Sequence, residues 1–234
     1  MNIAGTLEVV AGPEALAARA AALIAERMEG CQAPFRLVLA GGGTPRGAYV
    51  RLAQMNGLPW ECTEIFFGDE RCVPPGHPES NYRMVRQSLL AGGSVQPRGL
   101  FAIPTDDTPE SDAARYEEIL RQQYGASLLD PAVPLFNLTL LGLGADGHTA
   151  SLLPGQPVLA ERKRWVAVVP KGRDEQRITL TYPALESSRT ILFLVAGADK
   201  KDALVRARAG ELPAGALKPQ GEVIWLVDKE AAGG

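Results

Sequence analysis

The sequence predicts an α/β fold: a mainly parallel, doubly wound, Rossmann-like sheet in a single domain over residues 1–234. Three observations lead there. Short apolar runs, partly β-branched and often bounded by Gly or Pro, recur along the chain. Segments with Ala, Leu, Arg and Glu at helical spacing separate them. No repeat, charge block or low-complexity linker divides the chain, and its 234 residues suffice for one large core.

The first helix is expected over 13–30, opened by Pro13 and stopped by Gly30. FRLVLA (35–40) reads as a buried strand, and 45–55 as a helix that Pro45 can open. EIFFG (64–68) is the next strand, followed by helices over 81–93 and 109–125. Between those helices, 94–111 is rich in turn formers. FNLTLLGLG (136–144), WVAVV (165–169), TILFLV (190–195) and VIWLV (223–227) complete the strands, with a helix over 199–210. Strand–helix alternation implies a parallel sheet covered on both faces. In such a sheet ligands bind beyond the carboxyl ends of the strands, so the residues that follow each strand are the candidates for function.

Composition narrows the classes. Hydrophobic residues make up 46% and charged residues 22%, ordinary globular values. A net charge of −3 lacks the basic footprint of a nucleic-acid binder, so an anionic ligand requires a local basic pocket. Three cysteines with no CxxC pair argue against a disulfide framework or a zinc site. MNIAGTLEVV lacks the basic and apolar regions of a secretory leader, and no apolar run is long enough to span a bilayer. The expectation is a cytoplasmic protein without nucleic-acid or membrane partners.

After the first buried strand comes GGGTPRG (41–47), where glycines allow close backbone approach and a helix start attracts phosphate. It is not a Walker A loop, since no Gly-Lys-Ser/Thr follows. After EIFF comes GDERCVPPGHPESNYR (68–83). There Asp69, Glu70 and Arg71 offer carboxylates beside a guanidinium, suited to a polyhydroxylated anionic substrate or to a structural ion pair, and Ser80 is a helix N-cap. His77 reads as a solvated loop histidine and Cys72 as a free thiol.

LGLGADGHTASLLPG (141–155) matches a dinucleotide fingerprint at Gly142, Gly144 and Gly147. That motif must open a long helix, yet Pro154 and Gly155 follow within eight residues of Gly147. Glu161 falls near the distance of the ribose-binding acid but sits in the charged run ERKR. The stretch makes better sense as a catalytic loop, in which Asp146 orients His148 for acid–base work. Cations follow later strands: Lys171, Arg173 and Arg177, then Lys200 and Lys201. Several at strand ends of an acidic protein suggest a phosphate pocket.

Taken together, AGGGTPRGAY (40–49), FFGDERCVPPGHPESNYRM (66–84), LLGLGADGHTASLLPG (140–155), RITLTYPAL (177–185), LFLVAGADKKDAL (192–204) and VIWLVD (223–228) resemble the 6-phosphogluconolactonase family. The resemblance implies hydrolysis of 6-phosphoglucono-1,5-lactone with no metal or organic cofactor; the expected assembly is a monomer or weak homo-oligomer. It marks His148 as the catalytic base and Asp146 as its neighbour. Arg71 is then a substrate-binding arginine with Asp69 and Asn81 beside it, and Gly42, Gly43 and Thr44 lie at the sugar-phosphate end. Arg177 and Lys200 become the phosphate ligands, while RDEQ before Arg177 departs from the family pattern and weakens the case for Lys171. Glucosamine-6-phosphate deaminases resemble the chain in the same loops, but carry a glutamate after the histidine where this chain has Ser151-Leu152-Leu153-Pro154. A sugar-sensing regulator would need a DNA-reading domain, which the chain before the first strand does not provide.

Overall fold

The computed structural model describes residues 5–31, 34–170 and 174–234. Seven parallel strands form the main sheet. In chain order these are β1 (Thr6–Val10), β2 (Phe35–Leu39), β3 (Thr63–Phe67), β5 (Gly99–Phe101), β6 (Phe136–Gly142), β9 (Ser188–Val195) and β10 (Glu222–Asp228). They lie side by side as β1-β10-β9-β6-β2-β3-β5. The remaining strands, β4 (Asp69–Arg71), β7 (Val166–Val169) and β8 (Arg177–Leu180), make a small antiparallel sheet in the order β4-β8-β7. The expected α/β, mainly parallel fold is therefore present. WVAVV, read as one more buried strand, belongs instead to the antiparallel sheet.

Inner strands bury consecutive residues, as sheets covered on both faces do. Leu37, Val38 and Leu39 of β2, Ile65, Phe66 and Phe67 of β3, and Ile191 to Val195 of β9 are all buried. Phe193 stacks on Trp225 of the adjacent strand with ring centroids 3.9 Å apart. Edge strand β1, which the apolar-run reading passed over, is half exposed and shows Leu7 and Val9 to solvent. One continuous apolar cluster runs through both sheets.

Helices α1 (Pro13–Met28), α2 (Gly43–Gln54), α3 (Asn81–Val85), α4 (Pro109–Tyr124), α5 (Tyr182–Glu186) and α6 (Lys201–Arg208) lie in the connections, and α7 (Lys229–Ala232) follows the last strand. Pro13 and Pro109 stand at helix starts, where a missing N–H costs nothing. Thr108 caps α4 by accepting from Ser111 N, and Gly125 ends it in a left-handed conformation. Helix α2 opens two residues earlier than expected, at Gly43, so that Pro45 lies inside its first turn. The expected 81–93 helix is the short α3 followed by a π turn over Arg86–Leu90.

The order of the main sheet creates a place for a ligand. From β2 the chain moves outward to β3 and β5, whereas from β6 it moves the other way to β9 and β10. Crossovers running in opposite directions leave a crevice between β2 and β6 at their carboxyl ends. Two buried tyrosines fix the strands there. Tyr49 of α2 accepts from Ala40 N at 2.9 Å and donates to Ala40 O at 2.8 Å, just beyond β2. Tyr116 of α4 does the same for Phe67 N and O, at 2.9 and 3.0 Å, on β3.

Tyr49→Phe and Tyr116→Phe each leave a buried N–H and C=O unpaired and should cost about 1–3 kcal/mol, read as a lower Tm. Burial holds both phenols above the ordinary tyrosine range. A pKa raised by folding gives stability that is complete below the unfolded value, about 10, and is lost as pH rises beyond it. Denaturation curves of the wild type should weaken steeply above about pH 10, and those of the double Phe variant less so.

Candidate active site

A cleft of about 480 Å³ opens at the crevice. His148, Gly42, Gly43, Thr44, Asp69, Arg71, Asn81, Arg177 and Lys200 all line it. Asp146 stands back from the cleft and reaches it through His148. Lys171 and Arg173 lie outside the described residues, and Lys201 does not line the cleft.

The loop after β2 delivers the start of α2. Gly43, Thr44 and Pro45 of its first turn line the cleft, and that turn carries no acidic residue. Unpaired N–H groups and the helix dipole make this an anion-favouring wall.

The loop after β6 carries the imidazole. No α-helix begins at Gly147, so the dinucleotide fingerprint lacks the helix that would hold a pyrophosphate. Instead the chain folds back on itself: Gly147 N donates to Gly144 O, and Gly144 N to His148 O, both at 2.9 Å. His148 Nδ1 then lies 2.5 Å from Asp146 Oδ1. Gly144 is required by contact, since a Cβ there would sit 2.1 Å from His148 Nδ1 and 2.5 Å from Asp146 Oδ1. Gly147 is required by conformation, with φ +80° and Leu212 packed against it.

Strand β4 sorts three consecutive residues by alternation. Asp69 and Arg71 face the cleft. Glu70 points the other way and is buried, so of the two carboxylates only that of Asp69 faces the cleft beside Arg71. Its carboxylate accepts from the backbone N of Asn81, Tyr82 and Arg71 at 2.8 Å each, and from Ser80 Oγ at 3.1 Å. Burial pushes this carboxyl up, with the backbone N–H groups opposing. Together with the expected Ser80 N-cap, Glu70 anchors the start of α3 and so places Asn81.

Asp69 is a hub. Its Oδ2 accepts from Ser151 Oγ at 2.6 Å, while Asn81 Nδ2 donates to its main-chain O at 2.8 Å. Ser151 N in turn donates to Thr179 Oγ1 of β8 at 3.2 Å. All four side chains are buried. Ser151 and Thr179 went unnoticed in the sequence, where nothing distinguishes them from other hydroxyl residues. They tie the His148 loop to both strands beneath it.

The cations meet across the small sheet. Antiparallel register places Arg71 directly opposite Arg177, so the two side chains rise from the same face. Like charges so placed are destabilising unless something neutralises them. Glu175 takes one guanidinium nitrogen of Arg177 at 2.7 Å, and Arg71 donates to the main-chain O of Glu79. The Nε of both arginines is nevertheless buried without a partner. Lys200 also lines the cleft, held 2.9 Å from Asp199. Neither His77, whose Nδ1 accepts from Glu79 N, nor Cys72 lines the cleft; burial pushes the Cys72 thiol up to about 11, far from a thiolate at neutral pH.

Fold and site thus define an α/β protein with a cation-lined cleft at a topological switch point and, on its wall, an imidazole backed by a carboxylate. Residues 11–225 match the family model described as glucosamine-6-phosphate isomerases/6-phosphogluconolactonase, and the chain belongs to that family. Among its relatives, the 6-phosphogluconolactonase of Nostoc sp. is 37% identical over 97% of this chain and 96% of its own length. That of Synechocystis sp. is 41% identical over 89% of this chain and 85% of its own. Among solved structures, 6-phosphogluconolactonase from Trypanosoma cruzi superposes with a TM-score of 0.88 at 30% identity, covering 99% of this chain and 97% of that one.

Gly144→Ala should displace the imidazole from Asp146 and cost about 10²-fold or more in turnover, the scale of a 1 Å misplacement. Steady-state kinetics beside a thermal melt test this: the loss should fall on kcat and far exceed any loss of stability.

Proposed function

We propose that the protein hydrolyses 6-phospho-D-glucono-1,5-lactone to 6-phospho-D-gluconate, the second step of the oxidative pentose phosphate pathway. One observation carries the reading: an imidazole–carboxylate pair shares a cleft with two opposed arginines whose donors are incompletely used. The names of the relatives agree with it. The carboxylate-free stretch Thr149 to Pro154 gives a deaminase no acid for ring opening. We further read the protein as cytoplasmic and as a monomer or weak homo-oligomer; its sparse cysteines outside any CxxC pair suit a reducing compartment.

A δ-lactone is a reactive ester, so catalysis requires an activated water, an oxyanion stabiliser and a held substrate. Asp146 keeps the proton on Nδ1 of His148, leaving Nε2 as the base. Nε2 takes a proton from water as its oxygen adds to C1, forming a tetrahedral oxyanion that cations or backbone N–H groups stabilise. As the oxyanion collapses, the C1–ring oxygen bond breaks and the imidazolium returns its proton to the departing ring oxygen. The product acid then ionises. No metal or organic cofactor takes part in these steps. Arg71, Arg177, Lys200 and the first turn of α2 hold the phosphate, with Asp69 and Asn81 shaping the wall beside them.

Lactone generated in situ from glucose-6-phosphate and its dehydrogenase should disappear much faster with the wild type than spontaneously. His148→Ala should remove about 10²–10⁴ of that acceleration while product still binds. Full activity in this variant would exclude His148 as the base, and no acceleration by the wild type would exclude the lactonase. Asp146→Asn separates two roles: lost turnover at an unchanged Tm assigns it to orienting the ring, lost Tm to holding the loop.

A further inference from the structure

Strand β10 ends on a carboxylate that the proposed reaction leaves unused. Asp228 is fully buried, and among the described residues no cation pairs with it. Taking a carboxylate out of water without a counter-ion is costly, so its partners should show what it does. They are two backbone N–H groups from different elements. Ala231 N donates to Oδ1 at 2.8 Å, which caps α7. Gly197 N donates to both oxygens, at 3.1 Å each. The cap uses one oxygen; the other is given to Gly197 alone.

Gly197 belongs to the corner that carries Lys200. Register pairs Val227 of β10 with Val195 of β9, so Asp228 comes level with the chain as it leaves β9. There Ala196, Asp199 and Lys200 line the cleft, while Gly197 does not. Its φ of +99° suits glycine, and a Cβ there would meet Asp199 Oδ1 at 2.8 Å. Lys200 N donates back to Gly197 O at 3.0 Å and closes the turn. Both backbone groups of Gly197 are thus tied, one to Asp228 and the other to Lys200. Helix α7 packs against the same turn, and a Cβ on Gly233 at its end would lie 2.5 Å from Lys201 Cε. Of two successive lysines, Lys201 therefore lies along α7 and Lys200 is left to the cleft.

We propose that Asp228 is a positioning residue for phosphate binding: by holding Gly197 N it fixes the turn from which Lys200 reaches the cleft. A lysine meets a phosphate as a point charge on a flexible stem, so what the fold must fix is where the stem begins. Asp199, 2.9 Å from Lys200 Nζ, steadies its far end. The same carboxylate that caps α7 thereby couples that helix, which does not line the cleft, to substrate affinity. This rests on the reading of Lys200 as a phosphate ligand.

The test titrates 6-phosphogluconate into the wild type, Asp228→Asn, Lys200→Met and the double variant, at a temperature where thermal melts show each folded. Lys200→Met should weaken binding about tenfold or more, the scale of one charge-assisted hydrogen bond. Asp228→Asn should weaken it severalfold, and in the lactone assay its loss should fall on KM. The double variant should bind no more weakly than Lys200→Met alone. Asp228→Asn that lowers Tm yet binds as the wild type does would make the residue a helix cap only, and overturn the proposal. Losses that add in the double variant would mean that Asp228 does not act through Lys200, and an unaltered Lys200→Met would leave nothing to position; either overturns it. If Asp228→Asn does not fold, Gly197→Ala, which strains the same corner from the other side, is judged by the same criteria. Binding needs no turnover, so a wild type that binds 6-phosphogluconate without hydrolysing the lactone removes the lactonase reading and still lets the four titrations decide the role of Asp228. A wild type that binds none overturns that role.

Discussion

Everything at the site follows from one topological constraint, the reversal of direction between β2 and β6 in the parallel sheet. Parallel neighbours need long crossovers, and crossovers that depart in opposite directions cannot both cover the gap at the carboxyl ends. The glycine loop that starts α2 and the loop that carries His148 are the two segments released at that gap. Tyr49 and Tyr116 give their hydroxyls to the backbone of Ala40, just beyond β2, and of Phe67, the last residue of β3, which keeps the rim of the crevice from fraying.

On that rim, a three-residue strand divides the work. Alternation along β4 sends Asp69 and Arg71 to the cleft and Glu70 into the protein. Glu70 then fixes α3, Asp69 fixes the His148 loop through Ser151, and Arg71 is left to face Arg177. The opposition of these two guanidinium groups is costly in an empty cleft and favourable around a phosphate. The cation wall and the imidazole loop are therefore joined through buried hydrogen bonds, since the same short strand positions the one and braces the other.

Much of this was legible in the sequence because the relevant patterns are local. Apolar runs marked the inner strands, Pro13 and Pro109 marked helix starts, and glycine-flanked polar clusters at strand ends marked the cleft. What escaped is set by pairing rather than by spacing. DER is too short and too charged to read as a strand, so neither the inward turn of Glu70 nor the Arg71–Arg177 register could be foreseen. WVAVV has the composition of a parallel inner strand, and only its partner β8 makes it antiparallel. Ser151 and Thr179 are ordinary hydroxyl residues until long-range contacts bring them to Asp69 and to each other.

In the proposed reaction the cations hold a phosphate so that His148 can act on a lactone carbon. The decisive comparison gives the wild type 6-phosphoglucono-1,5-lactone and the unphosphorylated glucono-1,5-lactone side by side, and repeats the pair with Arg177→Met. The wild type should favour the phosphorylated lactone in kcat/KM by a large factor, and Arg177→Met should lose most of that preference by losing the phosphorylated substrate alone. Equal hydrolysis of both lactones by the wild type would contradict the claim.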